Sequence, residues 1–478
     1  MSYITAFGFS YLLLAVPQFL PAQEEPFPSR EVELDIDSGP LTNAGSEARV
    51  VWSTTVDLPD ASWLRLHFGT VELARDDAHG TSSMVRLTSL ADSAVQHLDA
   101  LTCAQWGNST AYFNGGRLLV EMIAIPGGSV NRLVISGATA GQPGDGTILS
   151  ICDETDDRIP SATQRDCRVM PNGCTAFIID DAHHQFLTAG HCADYPGDLQ
   201  VVEFNVPLSL GEGEIVHPGP EDQYAVDQDS RQSSDQGEGL DWAYFGCFPN
   251  TETGLTPFLA GGGEFYMLAA AAPPVDGQTI RVTGYGTVIP PIPPEWNLTQ
   301  KEHAGPYWDL AGTVVQYRVD TTGGNSGSAV FDEDSGQVIG IHTHGGCYTG
   351  GGANIGTAVH NGELAAALAN PLGVCAPFGL SVTNLVGGQT AIITASGATP
   401  GARVYFGYSL SGPGELPIDA LGVILGISDP RLVGWDIAGP FGRASIERHV
   451  SPGATGHRVW IQAAQRGLTS IVVEQVVQ

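Results

Sequence analysis

Short alternating or fully apolar runs, broken by glycine, proline and asparagine, fill most of this chain. Between 30 and 150 they predict strands at Glu31–Ile36, Ala48–Leu58, Trp63–Phe68, Ser83–Leu87, Leu118–Ile123 and Arg132–Ile135. Turn residues such as Asn114-Gly115-Gly116 and Pro126-Gly127-Gly128 separate them, the pattern of a β-sandwich. A linker is expected over Ala138–Gly146 (ATAGQPGDG). Further strands are expected at Thr175–Ile179, Gln200–Phe204, Trp242–Phe245, Thr279–Thr283, Gly312–Val319, Ser328–Phe331 and Val338–His342. One helix stands out: Asn361 can cap Gly362–Ala369, and Pro371 lies just past its end. The acidic stretch Glu221–Leu240 has neither strand nor helix period and reads as a solvated loop. After 376 the β pattern returns at Gln389–Ala395, Ala402–Ser409, His457–Ala464 and Ser470–Val477.

Composition supports an all-β reading. Gly (61) and Pro (31) make up about a fifth of the chain, which suits turns rather than long helices. Acidic residues outnumber basic ones 52 to 20, for a net charge of −32, so nucleic acid is not an expected partner. The apolar run Ile4–Leu20 is short for a membrane span and is interrupted by Pro17. It reads as a signal peptide over 1–22, although no Lys or Arg precedes it. A secreted or extracytoplasmic protein is expected, with no membrane association after signal removal. Eight cysteines fit that destination. The expected organisation is a β-rich module or propeptide at 23–150, a catalytic domain at 151–375 and a β-sandwich-like module at 376–478. The flanking modules are expected to be scaffold or to bind a ligand the sequence does not identify.

Candidate chemistry is confined to the centre. In Thr322-Gly323-Gly324-Asn325-Ser326-Gly327-Ser328, glycines flank a serine. A serine hydroxyl needs a base to become a nucleophile, and backbone N–H groups to hold the oxyanion it creates. Glycine lets the chain turn so that those groups point inward. Phe186-Leu187-Thr188-Ala189-Gly190-His191-Cys192 supplies a histidine, and Leu240-Asp241-Trp242-Ala243-Tyr244-Phe245 an aspartate at the mouth of an apolar strand. Such a carboxylate can fix the tautomer of an imidazole.

The order His191, Asp241, Ser326 and the strings around them resemble the chymotrypsin-fold (trypsin-like) serine endopeptidases. The resemblance implies a double β-barrel over about 151–375, hydrolysis of protein or peptide substrates, and no cofactor or metal. It implies His191, Asp241 and Ser326 as the triad, with the N–H groups of Gly324 and Ser326 as the oxyanion hole. Gly190 stands where alanine is more usual, which reads as a small-for-small exchange.

Asp320 to Ser328, Ile339-Gly340-Ile341-His342-Thr343 and Asp156-Asp157-Arg158 are more specifically similar to the bacterial glutamyl endopeptidase branch. That likeness implies cleavage after Glu, or also Asp, with His342 and Thr321 holding the substrate carboxylate. Asp320 supports the alternative, a protease that cleaves after Arg or Lys. An inactive binding protein on a protease scaffold is a further alternative. His344 is expected to face away from His342. Asn325 replaces the aspartate that pairs with a new N-terminal amine in trypsin-type enzymes, so the oxyanion loop must be organised otherwise. The resemblance also implies a Cys174–Cys192 bridge. Cys347–Cys375 is expected to tie the following strand to the helix, and Cys152–Cys167 and Cys103–Cys247 complete the pairing.

Overall fold

The structure, a computed structural model, describes residue 22 and residues 26–76, 81–142, 149–195 and 197–478. Apart from Ala22, the expected signal peptide lies outside the described residues.

Two closed six-stranded antiparallel barrels form the centre. The first comprises β1 (Asp166–Pro171), β2 (Cys174–Ile178), β3 (Phe186–Thr188), β4 (Leu199–Glu203), β5 (Gln223–Asp235) and β6 (Asp241–Cys247), in the order β1-β2-β3-β6-β5-β4. Every residue of β2 and of β6 is buried, which explains why CTAFI and WAYF read as continuous apolar runs rather than alternations. β5 corrects the loop expected at Glu221–Leu240. Its polar residues are buried through hydrogen bonds: Gln223 Nε2 donates to the carbonyls of Tyr112 and Pro218, and Asp227 accepts the N–H groups of Val374 and Asp229. Tertiary partners, not apolarity, place this strand inside.

The second barrel comprises β7 (Thr279–Gly284), β8 (Lys301–Ala311), β9 (Val314–Tyr317), β10 (Ala329–Asp332), β11 (Gln337–His344) and β12 (Asn354–Ala358). Its order is β8-β7-β10-β11-β12-β9, closed by pairing of β9 with β8. Helix α1 (Gly362–Ala369) forms as expected, with Asn361 Oδ1 accepting the N–H groups of Glu363 and Leu364. It caps the apolar cluster between the barrels, in which Leu364 and Ala367 meet Leu187, Trp242, Val338 and Ile341.

Two four-stranded sheets precede the barrels. One orders Ser29–Asp37, Arg132–Gly141, Trp63–Glu72 and Phe113–Asn114; the other orders Arg49–Asp57, Arg117–Ala124, Met84–Ser89 and Val95–Leu98. Their inward residues alternate along each strand, as in RLLVEMIA, and share a core with Met170, Val201 and Phe248 of the first barrel region. The strand starting at Arg132 continues to Gly141, so the expected linker contributes its first four residues to a sheet. After the barrels, a three-stranded and a larger sheet enclose Ile393, Val404, Phe406 and Ile461.

Cys174–Cys192 is bridged, with Cα atoms 6.3 Å apart. The second bridge is Cys152–Cys347, at 4.7 Å. The expected Cys347–Cys375, Cys152–Cys167 and Cys103–Cys247 pairs are therefore wrong. Residues 149–150 pair with Thr321–Thr322 and carry Cys152 to the loop that follows β11. Cys103, Cys167, Cys247 and Cys375 remain buried thiols. Among the described residues no helix is long and apolar enough to cross a membrane.

Asp166, at the start of β1, is fully buried, with one carboxyl oxygen accepting the Tyr266 hydroxyl at 2.8 Å and the other unpartnered. Burial pushes its pKa up to about 7. An acid whose folded pKa is raised destabilises the fold above that value, and the penalty fades as pH falls toward the unfolded pKa. Asp166→Asn removes this titration. Relative to the variant, the native chain should lose stability between about pH 4 and 7, by at most roughly 4 kcal/mol. Parallel pH profiles of urea unfolding for the two proteins would rule this out.

Candidate active site

Three segments meet where the barrels touch. β3 delivers His191 through Ala189-Gly190, and the Cys174–Cys192 bridge ties the turn after it back to β2. Asp241 is the first residue of β6. Ser326 lies in the turn between Thr321–Thr322 and β10, with left-handed backbone at Gly324 (φ +97°) and Gly327 (φ +90°). Side chains are impossible at both glycines: a Cβ would lie 2.4 Å from the Tyr285 carbonyl oxygen at 324 and 2.0 Å from that of Thr175 at 327.

The three side chains form one hydrogen-bonded line. His191 Nδ1 is 2.7 Å from Asp241 Oδ2, and His191 Nε2 is 2.7 Å from Ser326 Oγ. Asp241 is fully buried, and its Oδ1 accepts the backbone N–H groups of Gly190 (2.5 Å) and His191 (3.1 Å). Those amides hold the carboxylate so that its second oxygen faces the imidazole. Gly190 is not a small-for-small exchange: a Cβ there would sit 1.9 Å from the Ser234 carbonyl oxygen and 2.9 Å from the Trp242 nitrogen.

His342, on β11, is buried beside Tyr317 of β9, with Nδ1 2.5 Å from the Tyr317 hydroxyl. Burial, reinforced by His344 and His191, pushes its pKa down to about 3, so the ring is neutral at ordinary pH. Burial holds the Tyr317 hydroxyl protonated. If it donates to Nδ1, the ring hydrogen sits on Nε2, which makes His342 a neutral donor. Thr321 is also buried, and its hydroxyl accepts Asn354 Nδ2 at 3.0 Å.

Asp320 is buried, but its carboxylate is engaged. Oδ1 accepts the Cys152 N–H at 2.7 Å, Oδ2 lies 3.4 Å from the Asp157 nitrogen, and His303 Nδ1 is 3.6 Å away. Burial raises its pKa to about 6. Asp157, His303 and Asp320 bring ligand atoms within 4.8 Å of one another. His303 Nδ1 already takes the Asp320 N–H, which leaves this cluster poorly disposed to hold a metal.

His344 was missed as a site residue. Consecutive residues of one strand face share a side at a spacing of two. A register shift lies between His342 and His344, and His344 sits beside His191 and Asp241. Its Nδ1 is 4.0 Å from Asp241 Oδ2, and its ring centre lies 5.9 Å from that of His191.

Residues 174–341 match the trypsin-like peptidase domain. That match covers β2 through most of β11, and so holds His191, Asp241 and Ser326. A glutamyl endopeptidase of Staphylococcus aureus (strain MW2) is 46% identical over 65 residues, 14% of this chain and 18% of that relative. The glutamyl endopeptidase of strain MSSA476 matches at the same identity over 17% of its length. The chain thus aligns with less than a fifth of the curated relatives it matches. Among solved structures, a Glu endopeptidase in complex with MPD is 20% identical, with a TM-score of 0.34, covering 46% of this chain and all of that one. A thermostable serine protease, AL20, from an extremophilic microorganism is 18% identical, with a TM-score of 0.32, covering 43% and 96%.

Proposed function

We propose that this protein is an exported serine endopeptidase that works through His191, Asp241 and Ser326 and prefers Glu, or also Asp, before the scissile bond. The observation that carries the reading is the unbroken line Asp241–His191–Ser326, with both contacts to the imidazole at 2.7 Å. Ser326 Oγ attacks the scissile carbonyl carbon while its proton passes to His191 Nε2. The carbonyl electron pair becomes an oxyanion, held by the N–H groups of Gly324 and Ser326. When it collapses, the C–N bond breaks, the proton moves from His191 to the leaving amine, and an acyl-enzyme remains. Water then repeats the sequence, with His191 as its base. Asp241 stays ionised and steadies the transient imidazolium.

A peptide substrate suits the edge that β11 leaves open beyond its pairing with β10. There Ala22 forms an isolated antiparallel bridge to His344. A substrate backbone on the same edge would run past Ser326, whose Oγ lies 3.1 Å from the Thr343 carbonyl oxygen. The amides on Asp320 speak against an Arg- or Lys-directed pocket, because each carboxylate oxygen is already directed at a backbone N–H of the entering segment.

The test is stoichiometric labelling by a serine-directed phosphonylating probe, mapped by mass spectrometry to Ser326 and absent in Ser326→Ala. A folded wild-type protein that takes up no probe is an inactive scaffold. Gly190→Ala supplies an independent check. Its Cβ can be relieved only by backbone movement under His191 and Asp241, so kcat should fall about 100-fold or more. A kcat within a factor of about three of wild type would mean the loop absorbs the methyl group.

A further inference from the structure

The segment that enters the peptidase domain is laced to the loop carrying Ser326 at three points, and by a disulfide to the loop after β11. Leu149 and Ser150 pair with Thr322 and Thr321. Cys152 is bridged to Cys347. The Cys152 N–H is held by Asp320. Arg158 reaches furthest. Its guanidinium is buried and paired in a bidentate manner with Asp156, Nε to Oδ1 at 2.8 Å and Nη2 to Oδ2 at 2.6 Å. Nη1 donates to Thr322 Oγ1 at 2.8 Å and to Asn325 Oδ1 at 3.2 Å, and Nη2 to the Thr287 carbonyl at 2.6 Å.

Those contacts bear on the oxyanion hole by a short chain of geometry. Asn325 Oδ1 also accepts the Thr322 N–H, and the Asn325 N–H returns to the Thr322 carbonyl, so the turn 322–325 is closed twice. The Thr287 N–H donates to the Gly323 carbonyl at 2.8 Å. In a trans peptide the C=O and the following N–H point in opposite directions. Fixing the Gly323 carbonyl on Thr287 therefore fixes the direction of the Gly324 N–H. Thr287 is in turn fixed by its own carbonyl, which accepts both Arg158 Nη2 and Thr322 Oγ1. Gly286 leaves the space this requires: a Cβ there would meet Asn325 Oδ1 at 2.2 Å, Thr322 Oγ1 at 2.4 Å and Arg158 Nη1 at 2.6 Å.

We infer that Arg158 is the positioning residue of the oxyanion loop, so that this domain is organised by an internal guanidinium and needs no new N-terminus near residue 151. A side chain thus does what a freed amine cannot do opposite Asn325, which carries no charge. The fork is needed as well as the charge, because the donors must reach Thr287 on one side and Thr322 and Asn325 on the other. The inference rests on the proposed peptidase activity and adds that cutting the chain between 149 and 158 lowers activity rather than switching it on.

The experiment uses the full chain and variants Arg158→Ala and Arg158→Lys, each normalised to probe-titrated Ser326 and accompanied by its thermal midpoint. Arg158→Lys keeps a cation beside Asp156, which preserves a testable protein if the alanine variant fails to fold. The acylation rate per titrated site should fall about 10- to 100-fold in both, with KM changed less than about threefold. Affinity for a peptide boronate, which mimics the tetrahedral adduct, should fall by a similar factor, while affinity for the product peptide holds. A cavity of about 250 Å³ lies against Asp156, Arg158, Trp296 and Lys301, so millimolar guanidinium should restore part of the rate to Arg158→Ala. A site for an engineered protease inserted before Arg158 should give lower activity after cutting.

A lower midpoint with unchanged rate per titrated site would reduce Arg158 to a structural role and overturn the inference. So would a full chain that is inert until cut upstream of Arg158. Wild type that neither takes the probe at Ser326 nor hydrolyses peptides, cut or uncut, would overturn the peptidase reading along with it.

Discussion

Ser326→Ala should lower turnover by about six orders of magnitude, and His191→Ala by a similar factor. The two losses should not add, because nucleophile and base act as one unit: without the base, the Ser326 hydroxyl is no better than a solvent hydroxyl. The structure sharpens the expectation for each. Ser326 Oγ has two acceptors within reach, His191 Nε2 at 2.7 Å and the Thr343 carbonyl at 3.1 Å. Only the first can take the proton away. In His191→Ala the hydroxyl keeps the Thr343 contact and loses its base, so the protein should fold normally and still bind peptide. KM should therefore change little while kcat collapses. Near-normal hydrolysis by either variant, in preparations free of other proteases, would remove both residues from the mechanism. A residual rate above the uncatalysed reaction is expected in both, from the oxyanion donors and substrate positioning alone.

The meeting of Asp241, His191 and Ser326 in one hydrogen-bonded line was legible in the sequence because each sits in a short local string and the three follow one another in a recognised order. The helix after β12 was legible for a similar reason, since its cap Asn361 and stop Pro371 are adjacent in sequence. What escaped was set by distant partners. β5 has no strand pattern, because Gln223, Asp227 and Ser230 are buried by hydrogen bonding rather than by apolarity. Cys347 finds Cys152 across 195 residues, a pairing that depends on two-residue strand contacts no sequence period announces. Arg158 stood out only by likeness, since its partners Thr287, Thr322 and Asn325 lie 129 to 167 positions away. His344 was misjudged because a residue two positions along a regular strand returns to the same face, so alternation gave no ground for turning it away from His342.

Substrate preference should follow His342. With matched peptides differing only in Glu or Arg before the scissile bond, wild type should favour Glu, and His342→Ala should cost Glu peptides roughly 2–4 kcal/mol in kcat/KM, or about 30- to 1000-fold. The reasoning weighs two charged possibilities. Asp320 would favour a cation if its carboxylate faced the substrate, but both oxygens are directed at backbone nitrogens of the entering segment. Asp320→Asn should therefore leave the Glu preference in place. His342, by contrast, can offer a donor without charge: Tyr317 satisfies Nδ1, and burial pushes the ring pKa down to about 3. A bound carboxylate would raise that value, but from a starting point far below neutral. The Glu/Arg ratio should thus stay flat between about pH 6.5 and 8.5, because the donor is N–H of a neutral imidazole throughout. An ordinary imidazolium would instead let the ratio fall as pH rises through about 6.5. Tyr317→Phe frees the ring to place its hydrogen on either nitrogen, and should weaken the preference by a smaller factor than His342→Ala. If wild type prefers Arg and Asp320→Asn abolishes that preference, the glutamyl reading is wrong. If Glu is preferred but His342→Ala leaves the ratio untouched, the specificity stands and another group supplies it.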